Sequence, residues 1–382
     1  MSFGREFCLH YAAIAGCLPL VEWLYELVCT LSGAPDWSEG SSNRLVLGSA
    51  IAEGHFEIAK FLAERGYPLD PPLDHRPISN SARFGNVVML EWLHAQGFAC
   101  GVPGWMDAAA SGGHLEACTW ISEHLDWDVC TAEAMNGAAE GGHLQVLQWL
   151  HTTRTEGCTT EAIDRAASNG HLEVVQWLHE NRQEGCAATA MDNAAANGHL
   201  EVVKWLHEHR SEGCTVEAMD RAAANGHLHV VQWLQSNRSE GCTRAAMDSA
   251  AANDHLDVVK WLHENRTEGC TSNAMDQASS LRMLEWLHEH RSEGCTPFAI
   301  EHAAQKGNFE KLLFLKRKCD LRCTQRTVSI VATKWNFEIF LWLRTLHPEL
   351  VDEDALKSEN SAIEELLELL AQVEIDNESR VP

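Results

Sequence analysis

The sequence predicts an all-α protein built as a solenoid of stacked helix–turn–helix units. The first observation is a step of 28 residues, which separates His143, His171, His199, His227 and His255. The second is a tryptophan that keeps the same step, at Trp149, Trp177, Trp205, Trp233 and Trp261. A fixed period between about 20 and 50 residues is typical of a stacked array. The repeat therefore takes precedence over the two or three compact domains that 382 residues would otherwise suggest.

Net charge restricts the class of partner. The chain has 29 basic and 55 acidic residues and a formal net charge of −26. Nucleic acids and anionic membrane surfaces bind through a basic footprint, so neither is expected as the main partner. The charge favours a soluble monomer and a neutral or basic protein partner.

Cysteine spacing and the absence of targeting signals predict an intracellular protein, cytoplasmic or nuclear. No stretch reaches the roughly 18 uncharged apolar residues of a membrane helix. Glu6 and His10 interrupt the stretch where a signal peptide needs an apolar run. Stacked helices lie about 8–10 Å apart, whereas a disulfide needs Cα atoms within about 7 Å. We therefore expect buried, reduced thiols at one repeat position. They are Cys130, Cys158, Cys186, Cys214, Cys242, Cys270, Cys295 and Cys323.

Each regular unit reads as two amphipathic helices joined by a turn. In the first helix of one unit, the apolar face is Ala162, Ile163, Ala166 and Ala167, and Glu161, Asp164, Arg165 and Ser168 face away from it. Thr159 is the expected N-cap. The turn is Asn169-Gly170-His171, since glycine takes the positive φ that such a turn needs. The second helix, Leu172 to about Arg182, is expected to direct Leu172, Val174, Val175, Trp177 and Leu178 inward.

The unit changes along the chain, which divides it into four parts. Residues 1–129 hold divergent repeats with a Pro/Gly/Ser loop over Leu31 to Asn43 and a proline-rich connector over residues 67–77. Residues 130–269 hold five regular repeats, and residues 270–347 hold a truncated repeat and two divergent ones. Residues 348–382 are acidic, and capping-box spacing at Ser361 predicts a helix that covers the end of the stack.

One repeat is shorter than the others. Trp286 follows Trp261 by 25 residues rather than 28. Aligning Leu281 with Leu172 places the deletion at the Asn-Gly-His turn. Either the reversal is tighter there or the first helix is shorter, and we expect the stack to be irregular at this point.

The regular unit resembles the helix–turn–helix core of the ankyrin repeat, through the segment Ile163-Asp164-Arg165-Ala166-Ala167-Ser168-Asn169-Gly170-His171-Leu172-Glu173-Val174-Val175. The match recurs closely five times and loosely about twelve times, from Phe7 to Leu346. It departs from the family in lacking the Thr-Pro-Leu-His opening and in having a period shorter than about 33 residues. The unit is similar to short ankyrin variants that contain a tryptophan. The resemblance implies about twelve ankyrin-like repeats with reduced or absent β-hairpin fingers, replaced by the turn around Glu184-Gly185-Cys186.

The other repeated side chains are expected to have structural roles within and between repeats. Equivalent histidines stand about 8–10 Å apart, whereas the ligands of one zinc ion lie about 2.0–2.1 Å from it. We therefore predict no metal and no cofactor, and expect the turn histidine to hydrogen-bond backbone of its own or a neighbouring turn. Trp177 is expected in the core. A solvated ion-pair ladder is expected at Arg154/Glu156, Arg182/Glu184, Arg210/Glu212, Arg238/Glu240, Arg266/Glu268 and Arg291/Glu293.

An enzyme is not expected. Nucleophilic catalysis needs a nucleophile, a base and an orienting group that occur together once. Each reactive residue type in this chain repeats, and no glycine-rich phosphate loop is present in the sequence. We therefore predict no catalytic residues.

The positions that differ between repeats are the candidate binding site. The resemblance implies that the outer faces of the first helices line a concave groove, with a constant aspartate as an acidic rail. The candidate partner-binding residues are Glu161, Asp164, Arg165, Asn193, Glu217, Arg221, Ser249 and Gln277. Sequence drift on a solvated face is the alternative explanation for any one of them.

Three functions are consistent with the sequence. The first is a non-enzymatic protein-interaction scaffold that binds along the concave face. The second is a substrate-recruiting adaptor of a larger complex such as a ubiquitin ligase, with a docking surface in the irregular first repeats. The third is a metal- or redox-responsive array that uses the repeated cysteines and histidines.

Overall fold

The described part of the chain is helical throughout. This computed structural model describes residues 3–32, 41–67, 76–97, 104–125 and 130–352, together with Leu356 and Leu367. These residues form 24 α-helices and one 3-10 helix, Pro348–Leu350, and contain no β-strand. The predicted all-α helix–turn–helix fold class is confirmed. Short turns replace β-hairpin fingers wherever the connection between repeats is described. No described helix has the length and apolar character needed to cross a membrane.

The helices alternate between a first and a second helix of each repeat. The first helices are α1 Phe3–Ile14, α3 Ser41–Ala52, α5 Arg76–Arg83, α7 Trp105–Ser111, α9 Ala132–Glu140, α11 Glu161–Ser168, α13 Ala188–Ala196, α15 Val216–Ala224, α17 Arg244–Ala252, α19 Ser272–Asp276, α21 Phe298–Gln305 and α23 Gln325–Thr333. The second helices are α2 Leu18–Ser32, α4 Phe56–Glu64, α6 Val87–Ala95, α8 Leu115–His124, α10 Leu144–Thr153, α12 Leu172–Asn181, α14 Leu200–His209, α16 Leu228–Asn237, α18 Leu256–Asn265, α20 Leu281–His290, α22 Phe309–Lys318 and α24 Phe337–Leu346.

The chain divides into two compact units. The first comprises Met1–Ala194 and His199–Cys214, and the second comprises Ala195–Gly198 and Thr215–Pro382. In the first unit, α5 packs on α7, α7 on α9 and α9 on α11. In the second unit, α15 packs on α17, α17 on α19 and α19 on α21. Each unit is thus a stack in which every repeat is held by its neighbours.

Small side chains on the first helices allow them to approach closely. Ala166 and Ala167 have no exposed surface, and their equivalents Ala222 and Ala223 are equally buried. The second helix covers this layer with larger aliphatic side chains, for example Val230, Val231 and Leu234. Burying each of these aliphatic side chains contributes roughly 1.5–3 kcal/mol relative to leaving it in water.

Threonine caps the first helices, close to the predicted position. The Thr215 and Thr243 hydroxyls accept hydrogen bonds from the backbone N–H groups of Glu217 and Ala245, both at 3.1 Å. In the repeat analysed from sequence, the helix begins one residue later than expected, at Glu161. The Thr159 hydroxyl still accepts from the Glu161 N–H at 3.3 Å.

The ends of two predicted connections are wrong. Helix α2 continues to Ser32 and α3 begins at Ser41, so the predicted loop over Leu31 to Asn43 is shorter at both ends. The connector ends earlier than expected, because α5 begins at Arg76. Residues 68–75 of that connector and, apart from Leu367, the predicted helix at Ser361 lie outside the described residues.

The turn glycine is required both by its backbone and by its neighbour. Gly170 has a φ of 78°, and a Cβ there would lie 2.6 Å from Nδ1 of His199 in the next repeat. Gly66 has a φ of 80°, but a Cβ there would meet nothing within 4 Å. Alanine substitutions at the two positions therefore distinguish the cost of backbone strain from the cost of the steric conflict with the histidine.

We expect Gly66→Ala to lower the free energy of unfolding by about 1–2 kcal/mol, because alanine is strained in the left-handed region. Gly170→Ala should lower it further, because the His199 ring must also leave its hydrogen-bonded position. Urea unfolding followed by circular dichroism measures both changes. Equal losses in the two variants would show that the histidine contact does not constrain the turn.

Candidate functional site

The repeated aspartate joins successive first helices instead of facing solvent. Asp220 accepts from the backbone N–H of Thr243 at 2.7 Å and from its hydroxyl at 2.5 Å. Burial raises the pKa of Asp220, and the two bonds from Thr243 oppose that rise. Asp164 accepts from the Ala187 N–H at 2.9 Å and from the Thr189 hydroxyl at 3.0 Å.

The predicted acidic rail is therefore wrong as a solvent-facing feature. The exposed fraction is 4% for Asp192, 7% for Asp220 and 3% for Asp276. The sequence pattern placed these side chains on the polar face, but the following repeat covers them. We define the aspartate–threonine clamp as the pairs Asp107–Thr131, Asp164–Thr189, Asp220–Thr243, Asp248–Thr271 and Asp276–Thr296.

The turn residues also hold each repeat to the one before it. His55 Nε2 lies 3.0 Å from the carbonyl oxygen of Ile14, and the Ser168 backbone hydrogen-bonds the His199 ring. The Asn225 amide donates to the Ala196 carbonyl at 2.8 Å. The prediction that turn histidines bond neighbouring backbone is confirmed. Among the described residues, no group of three or more His, Cys, Asp or Glu side chains could hold a metal ion.

The arginine–glutamate ladder is only partly solvated, and its arginines also link repeats. Arg210 pairs with Glu212, and the two side chains are 20% and 26% exposed. Arg210 Nη1 also lies 3.3 Å from Nδ1 of His179 in the preceding repeat. The same guanidinium hydrogen-bonds the Cys186 thiol. Each arginine therefore covers the short turn that replaces the β-hairpin finger.

Six of the eight cysteines at the repeat position are buried as predicted, whereas Cys186 and Cys295 are only partly buried. All thirteen described cysteines are free thiols. Burial raises the pKa of Cys186, Cys242 and Cys270 to about 11. These thiols are therefore protonated, and poorly nucleophilic, at neutral pH.

The tryptophans of the regular repeats pack between second helices and are not fully buried in the core, contrary to the prediction. Trp177 is only half-buried, as is Trp205. The Trp205 ring meets His179 of the preceding repeat edge-on, with ring centroids 5.2 Å apart. It stacks on His209 of its own helix with centroids 4.5 Å apart. The buried positions of this helix belong instead to aliphatic residues such as Leu206.

The remaining candidate residues lie on the outer face of the first helices, where they are exposed or half-exposed. We call this surface the first-helix face and define it by Glu161, Arg165 and Asn193 in the first unit and by Glu217, Arg221, Ser249 and Gln277 in the second. Asp164 belongs to the clamp instead.

In the first unit, carboxylates outnumber guanidinium groups around the first-helix face. Arg165 Nη1 lies 3.0 Å from a carboxylate oxygen of Glu133 and 3.3 Å from one of Glu140, and Arg165 also pairs with Glu161. One guanidinium is therefore shared among three carboxylates. In the second unit, Arg221 pairs with Glu217 at 2.8 Å.

The truncated repeat departs from the frame at several positions. Its first helix, α19, has only 5 residues, which confirms the shorter helix among the two predicted alternatives. Asp254 occupies the turn-glycine position of the preceding repeat with a φ of 67°. The truncated repeat has no turn histidine that would meet this side chain, and the Ser280 hydroxyl donates to the Asp254 carboxylate instead. Ser280 also caps α20, accepting from the Met283 N–H at 3.1 Å.

A buried lysine follows the truncated repeat, and the sequence analysis missed it. Lys311 takes the register of Val174 in its own second helix and is 2% exposed. Its ammonium donates to the carbonyl of Ala278, just beyond the shortened helix. Burial lowers the pKa of Lys311 to about 8, and Asp254 opposes the shift. The signal was in the sequence, because Asn308-Phe-Glu-Lys aligns with His171-Leu-Glu-Val.

Comparison with known proteins identifies the repeat. Residues 137–179, 163–207 and 191–235 each match the family model described as ankyrin repeats (many copies). No curated protein matches the chain.

We expect Asp220→Ala to lower the free energy of unfolding by about 1–3 kcal/mol, because it leaves two donors of Thr243 without their acceptor. Glu217→Ala, on the exposed side of the same helix, should change it by less than about 0.5 kcal/mol. Urea unfolding measures both, and a double-mutant cycle with Thr243→Val isolates the coupling. Zero coupling between Asp220 and Thr243 would contradict the clamp.

Lys311→Met should stabilise the protein at pH 7 by roughly 1–3 kcal/mol, because methionine fills the site without a buried charge. The folded-state pKa lies near 8, below the ordinary 10.5, so the unfolded chain binds this proton more tightly. The free energy of unfolding of the wild type therefore rises as pH increases from about 8 to 10.5, and the extra stability of the variant should shrink over that range. Urea unfolding at pH 7 and pH 9.5 measures the difference, and a constant advantage would contradict a charged Lys311.

Proposed function

We infer that this chain, which is an ankyrin-repeat protein through residues 137–235, is a non-enzymatic scaffold that binds a protein partner on its first-helix face. Ankyrin repeats generally mediate protein–protein interaction. The proposal extends that general role to named residues of this chain.

The main support is that the constant side chains hold the repeats together, whereas the variable side chains differ from one repeat to the next. The constant aspartate, asparagine, histidine and arginine side chains are engaged by neighbouring repeats, as for Asp220, Asn225 and Arg210. The variable side chains on the first-helix face differ in their contacts from repeat to repeat: Arg165 pairs with Glu133, Glu140 and Glu161, whereas Arg221 pairs with Glu217. A surface that changes while its frame stays constant is what selective recognition of one partner requires.

The charge of the first unit favours a basic partner. The side chains of Glu133, Glu140 and Glu161 are 55%, 51% and 55% exposed, whereas that of Arg165 is 33% exposed. Three carboxylates around one guanidinium leave an excess of two negative charges. An arginine or lysine of the partner could pair with a carboxylate that Arg165 satisfies only in part, which would give both attraction and orientation.

The proposal that the protein is not an enzyme rests on the contacts and pKa values of its potentially reactive side chains. Thiols such as Cys186 have a raised pKa, and turn histidines such as His199 bond neighbouring backbone. A substrate-recruiting adaptor, for example of a ubiquitin ligase, stays a prediction that would place a docking surface within residues 1–129.

We predict that peptides selected on the wild-type protein from a random display library will be rich in lysine and arginine. The triple variant Glu133→Gln, Glu140→Gln, Glu161→Gln should bind them about tenfold more weakly, since exposed ion pairs contribute up to about 1 kcal/mol each. Fluorescence anisotropy at two salt concentrations measures the affinities, and binding should weaken as salt rises.

The matched control is Glu173→Gln, Glu180→Gln, Glu201→Gln, which removes the same charge from exposed positions of second helices. It should bind the selected peptides like the wild type. An equal loss in both triple variants, or an affinity indifferent to salt, would refute binding at the first-helix face.

A further inference from the structure

A cavity lies beside the truncated repeat. It lies within the second unit and has a volume of about 490 Å³. It opens where α19 ends early, beside the C-terminal end of α21 and the start of α22. We call it the α19 pocket, and its lining residues are Ala252, Asn253, Gln277, Ser279, His302, Lys306, Asn308 and Lys311.

The α19 pocket has the opposite charge to the chain as a whole. Two lysines and a histidine line it, and none of its described lining residues is acidic. In a chain with 55 acidic and 29 basic residues, this composition is unusual. Cations gathered in a partly enclosed cavity attract anions, because the surrounding protein screens charge less than water does.

The two lysines lie close enough to His302 to disfavour a charge on its ring. Burial lowers the pKa of His302, and neighbouring Lys311 and Lys306 lower it further. The Nδ1 atom of His302 is buried and has no hydrogen-bond partner among the described residues. An anion bound beside these groups would offset their repulsion.

The repeat pattern does not account for a lysine at position 311. The position holds valine in the regular repeats, yet here an ammonium is buried with one backbone carbonyl as its hydrogen-bond acceptor. An ammonium has three N–H donors, so two remain for a ligand. Asp254 interacts favourably with this charge from outside the pocket lining. Ion pairing with Asp254 alone does not account for a lysine in a valine position.

We propose that the α19 pocket binds a phosphate group, held by Lys311 and Lys306 with the Gln277 amide as an additional donor. Lysine is a common phosphate ligand, and an amide N–H complements the remaining oxygens. The pocket is large enough to admit a phosphomonoester with part of the molecule that carries it. Apart from Gln277, the site uses no residue of the first-helix face, so it stands independently of the proposed function.

Isothermal titration of the full chain with inorganic phosphate tests the proposal. Lys311→Met should weaken binding at least tenfold, and Lys306→Gln should weaken it several-fold. The matched control is Lys318→Met, which removes the same charge from an exposed position of α22 and should bind within twofold of the wild type. Circular dichroism establishes that each variant is folded.

Equal phosphate binding by the wild type and Lys311→Met, or no binding by the wild type, would overturn the proposal and leave Lys311 as a structural repair of the deletion. Because Lys306 is exposed, Lys306→Gln should fold, and it tests phosphate binding in the pocket if Lys311→Met fails to fold. Unchanged binding in that variant would also overturn the proposal.

Two further titrations identify the source of the phosphate. Glycerol 3-phosphate represents a free phosphomonoester, and a neutral peptide with one phosphoserine represents a modified protein. Tighter binding of either one than of inorganic phosphate supports the proposal, and the tighter of the two identifies the source. The unphosphorylated peptide should not bind, and equal binding of both peptides would count against phosphate recognition.

The pH dependence gives a separate test. The charged and titratable groups facing Lys311 are Asp254, His302 and Lys306. Phosphate affinity should fall between pH 7 and pH 9.5, because Lys311 loses its charge as pH rises through about 8. Lys311→Met should show a smaller fall. The same fall in both proteins would overturn the assignment of Lys311 as a phosphate ligand.

Discussion

The aspartate–threonine clamp is the interaction on which the regular stack depends. A short helix cannot bury enough surface to persist alone, so each repeat needs its neighbour. Asp220 meets this need by accepting two hydrogen bonds from Thr243, whose hydroxyl in turn caps α17. One buried carboxylate thus couples the start of one helix to the position of the previous one. The alanine faces can then approach closely without a β-hairpin finger.

The clamp also explains why the irregular repeat remains in the stack. Asp276 still holds Thr296 at 2.6 Å although α19 has only 5 residues. The deletion removes the turn, and substitutions around it replace the lost contacts. Asp254 takes a glycine position that no histidine crowds, Ser280 caps the next helix, and Lys311 reaches the freed carbonyl of Ala278. Compensation of this kind leaves behind a cavity beside α19 and a buried ammonium at a position where the regular repeats have valine.

The first-helix face and the α19 pocket thus arise from two different kinds of departure from the repeat. On the face, side chains such as Arg165, Asn193 and Ser249 differ at equivalent positions of regular repeats, which suits recognition of an extended partner. In the pocket, the backbone itself is shorter, so the cavity has walls on several sides and suits a small ligand. The excess of carboxylates around Arg165 and the cations around Lys311 give the two surfaces opposite preferences for charge.

The sequence by itself determined the repeat, its helices and its apolar faces, because periodicity records which side chains must be buried. It also located the deletion and anticipated the buried thiols and the backbone bonds of the turn histidines. Only the tertiary structure decided how polar residues are used. Asp220 and Arg210 read as solvated from their helical register, yet the next or preceding repeat covers them. Trp177 read as core but lies between second helices. The repeat alignment places Lys311 at a valine position, but only the tertiary structure showed how its ammonium is accommodated, because the contacts of a buried polar group depend on neighbours that local periodicity does not encode.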